Sequence, residues 1–226
     1  MPDLRDESSV TPTAAWEAPS LAKPYVPPRD PVIRAYTTLA TAAFSRRDSR
    51  LPGYPAAVES ARALGFTSAL RTVGGHLAPL HEGTLVVDVI AAAEAPQART
   101  RDRFLRASTA VRAALNQLGV PAQVGELPGE YCPGEFSVNA AGTAKLAGIA
   151  QRVMPWGFLL SINLVVADPA PLRTVVAACY RDLGLAVDPA RVGAVSDHLP
   201  DVKLSDVAQA LLSELAASLF PEADHL

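Results

Sequence analysis

The stretch Gly142-Thr143-Ala144-Lys145-Leu146-Ala147-Gly148-Ile149-Ala150-Gln151-Arg152, followed closely by Trp156-Gly157-Phe158-Leu159-Leu160-Ser161-Ile162-Asn163-Leu164, decides how this chain is read. Its apolar runs have strand length and are bounded by Gly, Thr and Pro. They read as strands over residues 144–152 and 158–166, with a third around 136–139. Lys145 is the one cation in a run of small apolar residues. A solvated strand lysine is the ordinary fate of the residue type, but this setting points to a site.

Upstream, Arg101–Leu118 places Phe104, Val111, Leu115 and Leu118 at helical spacing, and Gly119 closes the helix. A strand is expected at Thr84–Ala91, and another at Ala69–Val73 running into Gly74-Gly75. Tyr54–Leu64 reads as a helix with Val58, Ala61 and Leu64 on one face and Gly65 as its C-terminal stop. Val32–Tyr36 and Leu39–Phe44 read as short strands around a turn. Downstream, Leu172, Val175, Val176, Cys179 and Leu183 make one helical stripe, and Leu204, Val207, Leu211 and Leu215 another. The expected fold class is therefore α/β (α+β): one domain over residues 31–220, with a mixed, mostly antiparallel sheet flanked by helices. Residues 1–30, rich in Pro, Asp and Ser, are expected to form an extended or flexible arm.

The chain has 226 residues, 49% of them hydrophobic and 19% charged, which suits a single core. A net charge of −3 argues against a nucleic-acid or anionic-membrane surface. Cys132 and Cys179 stand far apart without metal-ligand spacing, so neither a zinc site nor a disulfide is expected, and a reducing cytoplasm fits. The acidic, polar start is not a secretory leader, and no apolar run is long enough to predict a membrane span.

Several residues carry candidate chemistry. Gly74-Gly75 after a strand lets the backbone approach a ligand; the plainer reading is a tight turn. Arg71 beside it offers a fork to a carboxylate or acyl-phosphate, or else a surface ion pair. Gly148 either clears space for a ligand or marks a strand bulge. Cys132 lies in the loop before the lysine strand, where a nearby cation would acidify it into a nucleophile; a lone cysteine is more often a small buried thiol. Cys179 falls on an apolar helical stripe and reads as core.

Three segments in order resemble the lipoate–protein ligase A family, which includes Cys-dependent octanoyltransferases and is related to biotin–protein ligases. Arg71-Thr72-Val73-Gly74-Gly75-His76-Leu77-Ala78-Pro79-Leu80-His81-Glu82 resembles the family's Arg-Arg-x-Ser-Gly-Gly-Gly-Ala-Val-x-His-Asp loop. Gly142–Arg152 resembles Gly-x-Lys-Ile-x-Gly-x-Ala-Gln-Arg, and Trp156–Leu164 the strand that follows. The likeness covers roughly residues 31–220. It departs at His76, which replaces the third glycine, at Val73, which replaces the serine, and at Leu70, which replaces the first arginine.

The resemblance implies transfer of a lipoyl or octanoyl group to a lysine of a lipoyl-domain or H-protein-like acceptor. Lys145 would contact the acyl carbonyl or phosphate, and Arg71, Gly74, Gly75, His76, His81 and Gly148 would line the acyl-adenylate site. Glu135 and Ser137 compete for the place of an acidic residue that helps hold nucleotide or metal. Two routes stay open. In one, a ligase uses ATP and Mg²⁺ to activate the free acid, sometimes with an accessory subunit. In the other, Cys132 takes the acyl group from an acyl carrier protein without a cofactor. The reading leans slightly to the ligase, because a single residue argues for the nucleophile. The chain stops near residue 226, so the C-terminal accessory domain of the larger ligases is not expected, which puts full ATP-dependent activity in doubt. A non-catalytic binding paralogue is the third reading.

Overall fold

Strands β1 (Asp3–Arg5), β2 (Pro12–Thr13), β3 (Val32–Thr38), β4 (Thr41–Phe44), β5 (Thr67–Leu70), β6 (Ala78–Leu80), β7 (Thr84–Ala92), β8 (Ala122–Val124), β9 (Val138–Ala140), β10 (Ala144–Met154) and β11 (Gly157–Val165) alternate with four helices. The helices are α1 (Tyr54–Ala63), α2 (Thr100–Gln117), α3 (Pro169–Leu183) and α4 (Leu204–Leu219). The computed structural model describes residues 27–221 and the backbone of residues 3–5 and 12–13; most of the arm expected over residues 1–30 lies outside these described residues.

The large sheet runs β1-β3-β7-β11-β10-β9-β8, with β2 also pairing with β3. Its pairings from β3 through to β8 are antiparallel, while β1 and β2 join β3 in parallel. The sheet is thus mixed and mostly antiparallel. A smaller sheet, β5-β4-β6, has one parallel and one antiparallel pairing.

Period-two alternation explains the layers. Leu85, Val87, Val89 and Ala91 of β7 and Phe158, Leu160, Ile162 and Leu164 of β11 face one way, against Ala107, Val111 and Leu115 of α2 and Val207, Leu211 and Leu215 of α4. Burying each Val, Leu, Ile or Phe side chain among them contributes about 1.5–3 kcal/mol. On the opposite face, Val86 packs with Tyr36, Ala43 and Leu80, which brings the small sheet onto the large one. A further cluster unites Phe44, Ala57, Ala61 and Leu77 with Leu172, Val175, Val176 and Cys179, so α1 and α3 cover the small sheet. The expected helices over 54–64 and 101–118, and both C-terminal stripes, fall on observed helices. Among the described residues no helix is long and apolar enough to cross a membrane.

Two local expectations change. The strand expected at 69–73 occupies Thr67–Leu70 and ends before the glycine loop. Helical spacing places Phe104 on the core face of α2. It is only half-buried and stacks on Phe136 with ring centroids 5.3 Å apart, because the buried stripe runs through Arg103, Ala107, Val111 and Leu115 instead.

A break in register shapes the lysine strand. Ala144 and Lys145 pair with Ala140 and Asn139, but the next partner, Val138, pairs with Ala147. The extra residue, Leu146, turns its side chain into the helix-covered core. In an unbroken strand Lys145 and Gly148, three positions apart, would face opposite ways; the bulge brings them to the same side. A Cβ on Gly148 would sit 3.3 Å from Lys145 Cε. The irregularity thus falls at Leu146, while Gly148, for which the sequence offered a bulge or cleared space, keeps its register with Asn163.

Candidate active site

A cleft of about 230 Å³ opens on this face of β10, between the glycine loop that follows β5 and the loop joining β8 to β9. Arg71, Gly74, Gly75, Cys132, Lys145 and Gly148 line it together, although they come from three separate segments. Phe104, Phe136 and Ile149 add apolar surface.

Cys132 is half-buried and sits at φ +43°, a left-handed conformation uncommon for a residue with a Cβ. Its backbone N–H donates to Tyr180 Oη at 2.6 Å, and Tyr180 Oη donates on to the Leu77 carbonyl at 3.1 Å. Burial, and then the charge at Cys132, push the Tyr180 phenol well above its ordinary value, so it remains a neutral clamp between the cysteine loop and the glycine loop.

Two donors converge on Cys132 Sγ: the His76 N–H at 3.2 Å and Arg71 Nη2 at 3.4 Å. Burial alone would push the thiol up. The Arg71 guanidinium, the Lys145 ammonium and the His76 N–H outweigh it and hold the thiol below its usual range. Gly75 makes this approach possible. Its φ is +97°, and an added Cβ would lie 2.6 Å from both Arg71 Nη2 and Cys132 Sγ. Arg71 is 4% exposed, and its Nη2 also donates to the His76 carbonyl.

Lys145 is 1% exposed, and its ammonium spends its three N–H bonds inside the protein. They go to Glu130 Oε1 at 3.1 Å, the Tyr131 carbonyl at 3.0 Å and the Cys132 carbonyl at 2.8 Å. Its Nζ also lies 4.8 Å from the Tyr131 ring centre. Glu130 in turn ties the loop together. Oε2 accepts from the Leu127 N–H, while Oε1 accepts from the Gly134 N–H and from Ser137 Oγ at 2.6 Å as well as from Lys145. A buried charge needs such partners, and this pair has them.

The other expected residues lie in varied settings. His76 reaches Cys132 through its backbone, while its ring Nδ1 lies 2.6 Å from the buried carboxylate of Asp48. His81 does not line the cleft. Its ring accepts from the Gly83 N–H and meets the Asp168 carbonyl at 2.8 Å, bracing the start of α3. Glu135 lines the cleft mouth but is exposed and forms a two-pronged pair with Arg101. Ser137 is buried and committed to Glu130. Among the described residues no three His, Cys, Asp or Glu side chains group as a metal cage. The two side chains expected at nucleotide or Mg²⁺ thus have protein partners here, Arg101 for Glu135 and Glu130 for Ser137.

Sequence reasoning missed Glu130, Tyr180 and Asp48. Nothing local distinguishes them: Tyr180 adjoins a core stripe, and Asp48 stands among arginines. Asp48 meets His76 28 residues away and Tyr180 meets Cys132 48 residues away, while Glu130 is reached by Lys145 only 15 residues on, across a loop.

Residues 25–216 match the lipoyl protein ligase A/B catalytic domain family. The octanoyl-[GcvH]:protein N-octanoyltransferase of Geobacillus kaustophilus is 29% identical over 156 residues, 69% of this chain. The match spans only 54% of that enzyme's own length, about half. The enzyme of the same name from Bacillus velezensis is 29% identical over 211 residues, covering 84% of this chain and 73% of its own. Among solved structures, a lipoate-protein ligase A bound with ATP superposes with a TM-score of 0.67 at 21% identity, covering 84% of this chain and 73% of its own. A bi-partite lipoate protein ligase from Thermoplasma acidophilum gives 0.63 at 20% identity, covering 86% and 73%. Both likenesses are of fold.

Proposed function

The chain belongs to the lipoyl protein ligase A/B catalytic domain family, and from that premise we propose that it is a Cys132-dependent acyltransferase. It would carry an octanoyl or lipoyl group from a carrier to a lysine of a lipoyl-domain or H-protein acceptor. The observation that carries this reading is the convergence on Cys132 Sγ of Arg71 and the His76 N–H, with Lys145 behind the same loop. The names of the relatives support it, since they describe octanoyl transfer from octanoyl-[GcvH] to protein.

The chemistry takes two substitutions at one carbonyl carbon. The Cys132 thiolate attacks the donor's acyl carbon; the new C–S bond forms as the carrier's bond to that carbon breaks and the carrier leaves with a proton. The acceptor lysine's neutral amine then attacks the thioester. A C–N bond forms, the C–S bond breaks, the amine sheds a proton and the thiolate returns to Arg71 and the His76 N–H. Those groups favour the thiolate at both ends of the cycle, and the fixed cations favour charge that develops on the acyl oxygen.

Intact-protein mass spectrometry tests the reading. Incubation with octanoylated carrier and no nucleotide is expected to add one octanoyl group, mapped by peptide analysis to Cys132. An unmodified protein that instead releases octanoyl-adenylate with octanoate and ATP would restore the ligase route.

A further inference from the structure

A second concavity of about 280 Å³ lies against the glycine loop, lined by Ser45, Arg46, Arg47 and Thr72 along with Arg71, Gly74 and Gly75. The last three also line the Cys132 cleft, so the two openings share a wall. Arg46 and Arg47 are exposed, and within the described residues neither side chain has an ion-pair or hydrogen-bonding partner. The single acidic residue of this turn cannot neutralise them. Asp48 is fully buried, with Oδ2 accepting from the Ser45 N–H at 2.8 Å and Oδ1 beside His76 Nδ1 at 2.6 Å. The chain as a whole is net acidic at −3, yet uncompensated arginines gather at the rim of its reactive cysteine.

We infer that the Arg46–Arg47 rim is the docking surface for an acidic protein face, the one that surrounds the acylated lysine of the donor. The inference rests on the transferase reading, which requires a macromolecule to bring a lysine to Cys132. A carboxylate-rich face around that lysine would meet the arginines while the lysine's acyl group passes over the glycine loop to Sγ. Charge of this kind speeds encounter and sets orientation, and it is felt in the steps that involve the protein partner. The arginines do not touch Cys132 and are not needed for its acylation.

The experiment compares two donors on the wild-type chain and on Arg46→Glu/Arg47→Glu. One donor is the octanoylated H protein of the glycine cleavage system; the other is the uncharged small thioester octanoyl-N-acetylcysteamine. The variant is expected to raise KM for the octanoylated H protein by about tenfold or more, to lose most of the wild-type salt dependence, and to leave Cys132 acylation by the small thioester unchanged. Unchanged KM for the H protein overturns the inference, as does an equal loss with both donors. Inhibition of the small-thioester reaction by inorganic phosphate that disappears in the variant also overturns it, because the cleft would then be a small-anion subsite. Failure of the wild-type chain to be acylated by either donor strikes the transferase reading itself, and so separates the two claims.

Discussion

Two cysteines in this chain show how far the surroundings decide what a thiol does. Cys179 lies on α3 in the apolar cluster shared with α1, is wholly buried, and has a carbonyl, Ala57 O, as its only hydrogen-bonding partner at 3.4 Å among the described residues. Burial, and then the nearby Asp182 charge, push it up to about 12. Cys132 is pushed up by burial too, but sits where Arg71, Lys145 and an inward-pointing N–H reverse the result. Burial makes a thiol inert only when nothing nearby stabilises the anion. When fixed cations are buried with it, the low dielectric strengthens their hold on the thiolate.

The largest test of this contrast is deletion of each sulfur in turn. Cys132→Ala is expected to lower octanoyl transfer by about 10³-fold or more, as loss of a nucleophile does, while Cys179→Ala leaves transfer at the wild-type rate and lowers stability by about 1 kcal/mol. A steady-state assay with octanoylated H protein reads the first effect and urea unfolding the second. Transfer that survives in Cys132→Ala would erase the contrast. Next in size is Lys145→Met. It strands Glu130 as a buried charge, at about 3–5 kcal/mol in urea unfolding, and lowers transfer by about 10²–10³-fold. Pairing it with Glu130→Gln is expected to restore most of the stability but not the rate. Restoration of both would make Lys145 a purely structural brace.

The smallest effect sharpens the electrostatics. Arg71 favours the thiolate, so Arg71→Met is expected to raise the pH at which iodoacetamide labels Cys132, and to lower its labelling rate at neutral pH. Cys179 should stay unlabelled in the folded protein over the same range. A midpoint that does not move would leave Lys145 and the His76 N–H as the groups that matter.

Much of this fold is legible along the chain because it repeats locally. The apolar alternation of β7 and β11 and the stripes of α2, α3 and α4 each signal their element within a few residues. Lys145, Gly75 and Cys132 could be singled out because their residue types are conspicuous in their neighbourhoods, and the resemblance to a known family set them in order. Glu130, Tyr180 and Asp48 could not. A carboxylate in a loop, a phenol beside a core stripe and an aspartate among arginines look like surface chemistry until the fold closes Glu130's loop onto Lys145 and sets Tyr180 and Asp48 against the cysteine and glycine loops. The same limit misread Phe104, whose spacing fits the core of α2 but whose ring belongs to the cleft.

The single extra residue at Leu146 has a consequence for how such a protein can change. A strand keeps count in twos, and the bulge adds one, so the lysine's facing depends on the number of residues between it and Gly148 and not on which residues they are. Substitution at Leu146 can weaken the core, but only loss or gain of a codon there can swing Lys145 away from the cysteine loop. Between Lys145 and Gly148, therefore, a change in the number of residues is expected to cost more than a change of side chain at Leu146.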